Sequence, residues 1–258
     1  MSKNYIGLSF GYHDAAAAVV SDGNILYAGH SERYSKMKND PGLHPDLIKA
    51  VNDHLTSDEV EIAYYEKSWL KNVRQLIAGE WLYNDKEPVK ETIKKHFNTT
   101  KYKAYKHHLS HAAAGFATSP YQSAAVLVID AIGEFETVSI WRAWVDSNHR
   151  CRYKKVATVS YPNSVGLTYS AFTQRVGLKA NEEEYILMGM AAYGKPIYAD
   201  QIRQEIIRPD IWLNDFPPGD ERGVRNIKNC HKGIAQWPNN DASHFDIASS
   251  IQEVTEDI

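Results

Sequence analysis

Cysteine is nearly absent from this chain. Cys151 and Cys230 are the only two among 258 residues and stand far apart, which excludes a disulfide framework and a thiolate zinc cluster. No apolar run approaches the roughly 20 residues needed to span a bilayer. Met1-Ser2-Lys3-Asn4 opens the chain without the apolar stretch of a signal peptide. The expectation is a cytoplasmic protein with no membrane partner. Charge of one sign is lacking too: 29 basic and 32 acidic residues leave a net charge of −3. That balance offers no field for nucleic acid, and none is expected as a partner. There is no internal repeat and no low-complexity tract.

What is present is an ordinary globular mixture, 43% apolar and 24% charged. The length suits one large domain or two lobes with a real core. Sixteen tyrosines and six tryptophans read as packing residues.

The hydrophobic pattern predicts a strand over 5–9, a second over 15–20, an Asp22-Gly23 hairpin turn and a third strand over 25–28. Leu47, Ile48, Val51 and Leu55 predict a helix over 44–55. A strand follows over 61–65. Residues 66–98 read as helices or an insertion, and 101–105 as a short strand. The run 124–130 reads as a buried strand, and 137–144 with 152–160 as an antiparallel pair. Helices are expected over 165–176, 182–192 and 245–258, with a loop-rich stretch over 208–241. Ile247, Ile251 and Val254 form an apolar stripe on the last helix. Left uncovered, that stripe predicts self-association through the C-terminal segment, or fraying of the residues after about 250.

The chemistry concentrates in Lys106-His107-His108-Leu109-Ser110-His111, which runs into three alanines. On a helix, His107 and His111 share a face at i, i+4, and imidazoles so spaced can grip one metal ion. A histidine pair on a helix is by itself more often solvated or capping. Asp130, at the end of an apolar strand, could add an oxygen ligand. Two imidazoles and a carboxylate leave coordination positions open for a substrate. Fe(II) is the first expectation for the ion, with Mn(II) and Zn(II) as alternatives.

A second cluster lies near the N-terminus. Gly11-Tyr12-His13-Asp14 with four alanines forms a tight loop after the first strand, able to present backbone N–H groups to a phosphate. The same residues also suit any turn. The run from Glu32 to Asp40, which contains Lys38, is either a solvated face or a lysine-bearing loop brought to an anionic site.

Taken in order, seven segments resemble one family: His13-Asp14 with its alanines; Glu32-Arg33 with Lys38-Asn39-Asp40; His107 through Phe116; Val128 through Thr137; Ser164 through Thr173; Glu184 through Gly194; and Phe245 through Gln252. The chain resembles the O-carbamoyltransferases of nodulation-factor, aminoglycoside and cephamycin biosynthesis, from about residue 5 onward. The resemblance implies an α/β fold: a ribonuclease-H-like lobe of the actin/sugar-kinase/Hsp70 superfamily, with a mixed sheet flanked by helices. The catalytic domain would be similar to the one that transfers threonylcarbamoyl to tRNA. It implies that 1–258 is the N-terminal lobe, that 66–98 and 208–241 are insertions, and that 243–258 is the inter-lobe helix. The second lobe and a YrdC-like domain, which makes carbamoyl-adenylate from carbamoyl phosphate and ATP, would lie outside this chain.

Carried over by position, the resemblance makes His107, His111 and Asp130 the metal ligands, and His13, Lys38 and Asp246 catalytic residues. The reaction implied is transfer of a carbamoyl group from carbamoyl-adenylate to the hydroxyl of a small-molecule acceptor. The chain by itself is expected to be inactive. A degenerate or stand-alone lobe that binds a metal or partner without catalysis is the alternative. Two departures from the family pattern stand out: Ala131 where family members usually have glycine after the aspartate, and Ala192 where proline is common.

Overall fold

A computed structural model describes residues 3–78, 88–97, 99, 101–207, 234 and 236–258. The chain divides into two compact units, 1–110 and 111–258, where the sequence reading treats 1–258 as one lobe. The insertion expected over 208–241 lies largely outside the described residues, as does 79–87 within the expected insertion over 66–98.

Unit 1 is built on a five-stranded mixed sheet. Its strands are β1 (Asn4–Ser9), β2 (Ala16–Ser21), β3 (Asn24–His30), β4 (Val60–Tyr64) and β5 (Tyr102–Ala104). The order is β3-β2-β1-β4-β5. The β1–β2 and β2–β3 pairs are antiparallel, while β1–β4 and β4–β5 are parallel. Asp22 and Gly23 both take positive φ, 49° and 79°, between paired Ser21 and Asn24. This is the two-residue turn whose twist matches a hairpin.

One face of the sheet forms the core. Ile6, Leu8, Val19 and Ile62 pack there with Leu47, Ile48 and Val51 of α2 (Pro45–Asp53) and Ile93 of α4 (Val89–Phe97). Helix α2 starts as a helix should: Pro45 opens it and the His44 side chain accepts a hydrogen bond from the Asp46 amide. Between strands and helices lie the single-turn α1 (Glu32–Ser35) and α3 (Ser68–Ala78).

Helix α5 (His107–Ala117) contains the point of division, after Ser110. Unit 2 continues with the antiparallel sheet β6 (Ser123–Ile129), β7 (Glu136–Val145) and β8 (Cys151–Ser160), in that order. Among the described residues, four helices follow: α6 (Val165–Arg175), α7 (Glu184–Ala191), α8 (Ala199–Glu205) and α9 (His244–Asp257). Phe172, Leu187, Ile202, Ile247, Ile251 and Val254 form their common core.

Two expectations are corrected here. The run expected as a buried strand is β6, which lies at the edge of its sheet, with Leu127 60% and Ile129 57% exposed. The stripe on the last helix is covered: Ile247, Ile251 and Val254 are at most 1% exposed. Helices α6, α7 and α8 of the same unit supply the apolar partners, so the stripe needs no second copy.

Candidate metal centre

The strand end that carries Asp130 is fixed by α6. The Ser164 hydroxyl donates to the Ala131 carbonyl at 2.7 Å and accepts from the Leu167 amide at 3.0 Å, capping the helix. The Thr137 hydroxyl donates to the Asn163 carbonyl at 2.6 Å. Asp130 itself accepts the Ala131 amide on Oδ1 at 2.7 Å. Its Oδ2 stands 3.7 Å from Nε2 of His111.

Along α5, His107 precedes His111 by one turn, on the same face. His107, His111 and Asp130 each offer a ligand atom, and these atoms all lie within 4.8 Å of one another. Atoms bound to one ion at about 2.1 Å stand at most about 4.2 Å apart. Side-chain adjustments of under an ångström therefore suffice, and the three residues fit a divalent ion. The donor set of two nitrogens and one carboxylate oxygen suits Fe(II), Mn(II) or Zn(II). His111 is open to solvent while His107 is nearly buried, with 55% and 14% side-chain exposure. The more exposed ligand marks the side from which a substrate could approach.

His107 is held inside unit 1. Nδ1 lies 3.8 Å from Oε2 of the buried Glu66, an ion-pair separation longer than a hydrogen bond. Oε1 of Glu66 accepts from Lys71 Nζ of α3 at 3.4 Å. Burial alone would raise the Glu66 carboxyl, but His107 and the Lys71 charge outweigh it and hold it below its usual value. The Ser110 hydroxyl donates to the Tyr65 carbonyl at 2.8 Å, and the Tyr65 ring meets His107 edge-on. The first turn of α5 is thus bolted to the connection between β4 and α3.

His13 and Lys38 lie on neighbouring loops of unit 1. The Gly11 amide donates to the Pro41 carbonyl at 2.8 Å, and the Ala15 amide to the Asp40 carbonyl at 2.7 Å. Buried Asp40 also accepts the Gly42 amide, so the Lys38 loop is stapled to the His13 loop. Gly11 and Asp14 take positive φ, 99° and 50°, bending the chain so that His13 points outward. Nδ1 of His13 meets Asp14 Oδ2 at 2.8 Å, and Lys71 Nζ lies 4.6 Å over the Tyr12 ring. Lys38 is exposed.

Asp246 belongs to unit 2, in the first turn of α9, where its Oδ1 accepts the Lys195 amide at 2.8 Å. Gly194 crosses this helix start so closely that an added Cβ would stand 1.9 Å from the Phe245 carbonyl oxygen. The local role of Asp246 is to anchor that crossing.

A separate cavity of about 430 Å³ lies on the sheet of unit 1, lined by Gly7, Ala18, Ala28 and Ala63 among others. None of the six residues expected to be functional lines it. Sequence reasoning missed Glu66 and Lys71. Their signal was a glutamate just past a strand, followed by Lys71, Arg74 and Gln75 on one helical face.

Residues 56–210 match the protein family described as Carbamoyltransferase N-terminus. Among curated relatives, the uncharacterized protein sll1178 of Synechocystis sp. is 31% identical over 291 residues, covering 98% of this chain and 46% of that protein. The nodulation protein NolNO of Sinorhizobium fredii is 27% identical over 265 residues, covering 95% of this chain and 37% of that protein. The chain thus spans less than half the length of these relatives. Among solved structures, a Ppx/GppA family member of Aquifex aeolicus overlaps at a TM-score of 0.33 with 12% identity, covering 76% of this chain and 64% of that one.

Proposed function

Because the chain belongs to the carbamoyltransferase N-terminus family, we propose that it carries the metal-binding and proton-accepting part of an enzyme that moves a carbamoyl group from carbamoyl-adenylate to an acceptor hydroxyl. The observation that supports this most is the gathering of His107, His111 and Asp130. A bound divalent ion would neutralise phosphate charge and polarise the carbamoyl carbonyl.

The chain's own residues supply the rest. Asp14 on Nδ1 of His13 favours the tautomer that leaves Nε2 as a proton acceptor. The acceptor oxygen bonds to the carbamoyl carbon, its proton passes to His13, and the bond from that carbon to the phosphate oxygen breaks, releasing AMP. Lys38 supplies positive charge for the departing phosphate. Asp246 is the remaining catalytic candidate, as a carboxylate of the kind that can accept a hydroxyl proton. The acceptor itself is a small molecule, with the segments 66–98 and 208–241 as the suppliers of its selection.

The strand order β3-β2-β1-β4-β5 supports the ribonuclease-H-like reading of unit 1. Unit 2 opens with a meander, β6-β7-β8, that repeats the antiparallel logic of β1-β2-β3. We read it as the start of the second lobe.

Calorimetry with Fe(II), Mn(II) and Zn(II) tests the reading. One ion should bind weakly per chain, and binding should disappear in His111→Ala. Tight binding that survives the change would place the metal elsewhere.

A further inference from the structure

Glu66 and Lys71 are placed as no part of the proposed transfer chemistry requires. Both are buried, at 4% and 5% exposure. Two opposite charges out of water are costly unless each is satisfied, and so they are not packing residues by default. Their geometry is directional. Lys71 Nζ takes Oε1 of Glu66 at 3.4 Å, and Oε2 faces Nδ1 of His107 at 3.8 Å. Each carboxylate oxygen has its own partner. A carboxylate on one ring nitrogen of a histidine fixes the ring's orientation and places its lone pair on the other nitrogen. Lys71 also lies over the ring of Tyr12, the neighbour of His13.

We propose that Glu66 is a positioning residue for His107, and that Lys71 positions Glu66. Resting on the metal reading above, this makes Nε2 of His107 the ligand nitrogen. Lys71 pins the carboxylate from the α3 side so that Oε2 stays turned to the imidazole. The same ammonium, through Tyr12, ties the His13 loop to this arrangement. The metal-binding helix and the proton-accepting loop are thereby referenced to one buried charge pair.

The proposal predicts a spectroscopic signature in the metal-free protein. Long-range nitrogen–proton correlation spectra should show the proton of the neutral His107 ring on Nδ1. In Glu66→Gln the two tautomers should mix. A wild-type His107 protonated on Nε2 would overturn the proposal.

Co(II) titration followed by its visible absorption supplies the second readout. Glu66→Gln should weaken binding by about 10- to 100-fold, the range usual for an outer carboxylate on a metal-binding histidine. Lys71→Met should weaken it less, and Lys71→Arg should restore it. Glu66→Gln leaves a buried ammonium unpaired and could fail to fold. The double variant Glu66→Gln/Lys71→Met removes both charges with isosteric side chains, and it too should bind Co(II) at least tenfold more weakly. Wild-type affinity in the folded double variant would overturn the proposal. His111→Ala separates the two readings. If it does not weaken Co(II) binding, the metal reading itself fails; if it does and the Glu66 variants do not, only the positioning role fails.

Discussion

Gly166 of α6 rests against Ala131 so closely that a Cβ on the glycine would stand 2.7 Å from the Ala131 Cα and 3.0 Å from its amide nitrogen. Both opposing atoms are backbone, so no side chain can swing away. Ala131 follows Asp130, whose Oδ1 holds the Ala131 amide. Gly166→Ala must push α6 off the strand end and disturb Asp130 with it. The expected cost is about 1–3 kcal/mol, read by thermal or urea unfolding, together with weaker metal binding by calorimetry. Unchanged stability and binding would show that the loop yields at no cost. The serine cap helps to hold this contact: Ser164 both starts α6 and binds the Ala131 carbonyl.

The β6 edge gives the next expectation. Leu127 and Ile129 point outward from an edge strand whose free side carries no partner among the described residues. Exposed apolar edges template pairing between chains. The purified chain should therefore associate as its concentration rises, and Leu127→Lys should suppress this without lowering the melting temperature. Light scattering across a concentration series decides it. Association that persists in Leu127→Lys, or a wild-type chain that stays monomeric, would remove β6 as the sticky surface.

The final helix should behave in the opposite way. Ile251 is 1% exposed in the core formed with Phe172, Leu187 and Ile202. Ile251→Glu would bury an unpaired carboxylate and lose apolar contacts together. A loss of about 3 kcal/mol or more is expected, visible as a large fall in urea midpoint. A variant of wild-type stability that is merely more soluble would show that the stripe is a surface.

These contrasts show what the sequence could and could not disclose. Local signals were legible because short-range chemistry decides them. Asp22-Gly23 requires the positive φ of a tight hairpin, and the i, i+4 spacing sets His107 and His111 on one helix face. Burial was less legible because it depends on neighbours distant in sequence. The run from Ala124 to Ile129 is apolar at every position and so hides a period of two: Val128 is buried while Leu127 and Ile129 are exposed. Helix α3 reverses the usual inference. Trp69 and Leu76 are exposed at 64% each, whereas Lys71, Arg74 and Gln75 are buried at 5%, 8% and 5%. Periodicity finds two faces on such a helix but assigns the wrong one inward. The buried Glu66 explains why Lys71 turns in. The candidate site followed the same rule: the three proposed metal ligands stand out by type and spacing, whereas Glu66 and Lys71 do not.

Alkaline stability tests a contact that links two helices of unit 2. The Tyr169 hydroxyl of α6 donates to Gln252 Oε1 of α9 at 2.6 Å. Burial, followed by the charges of Glu184 and Glu256, pushes its pKa up from 10.0 to about 12. The folded state thus favours the protonated phenol more than the unfolded chain does. The stabilisation that follows is complete below the unfolded value near 10 and is lost as pH rises through about 12. Tyr169→Phe cannot ionise and lacks the hydrogen bond. At pH 9 it should be less stable than the wild type, and the difference should shrink steadily between pH 10 and 12. Urea unfolding of both proteins at intervals of half a pH unit measures this. A difference that stays constant across the window would mean that Tyr169 titrates alike in the folded and unfolded chains, and that the two glutamates are too well solvated to act on it.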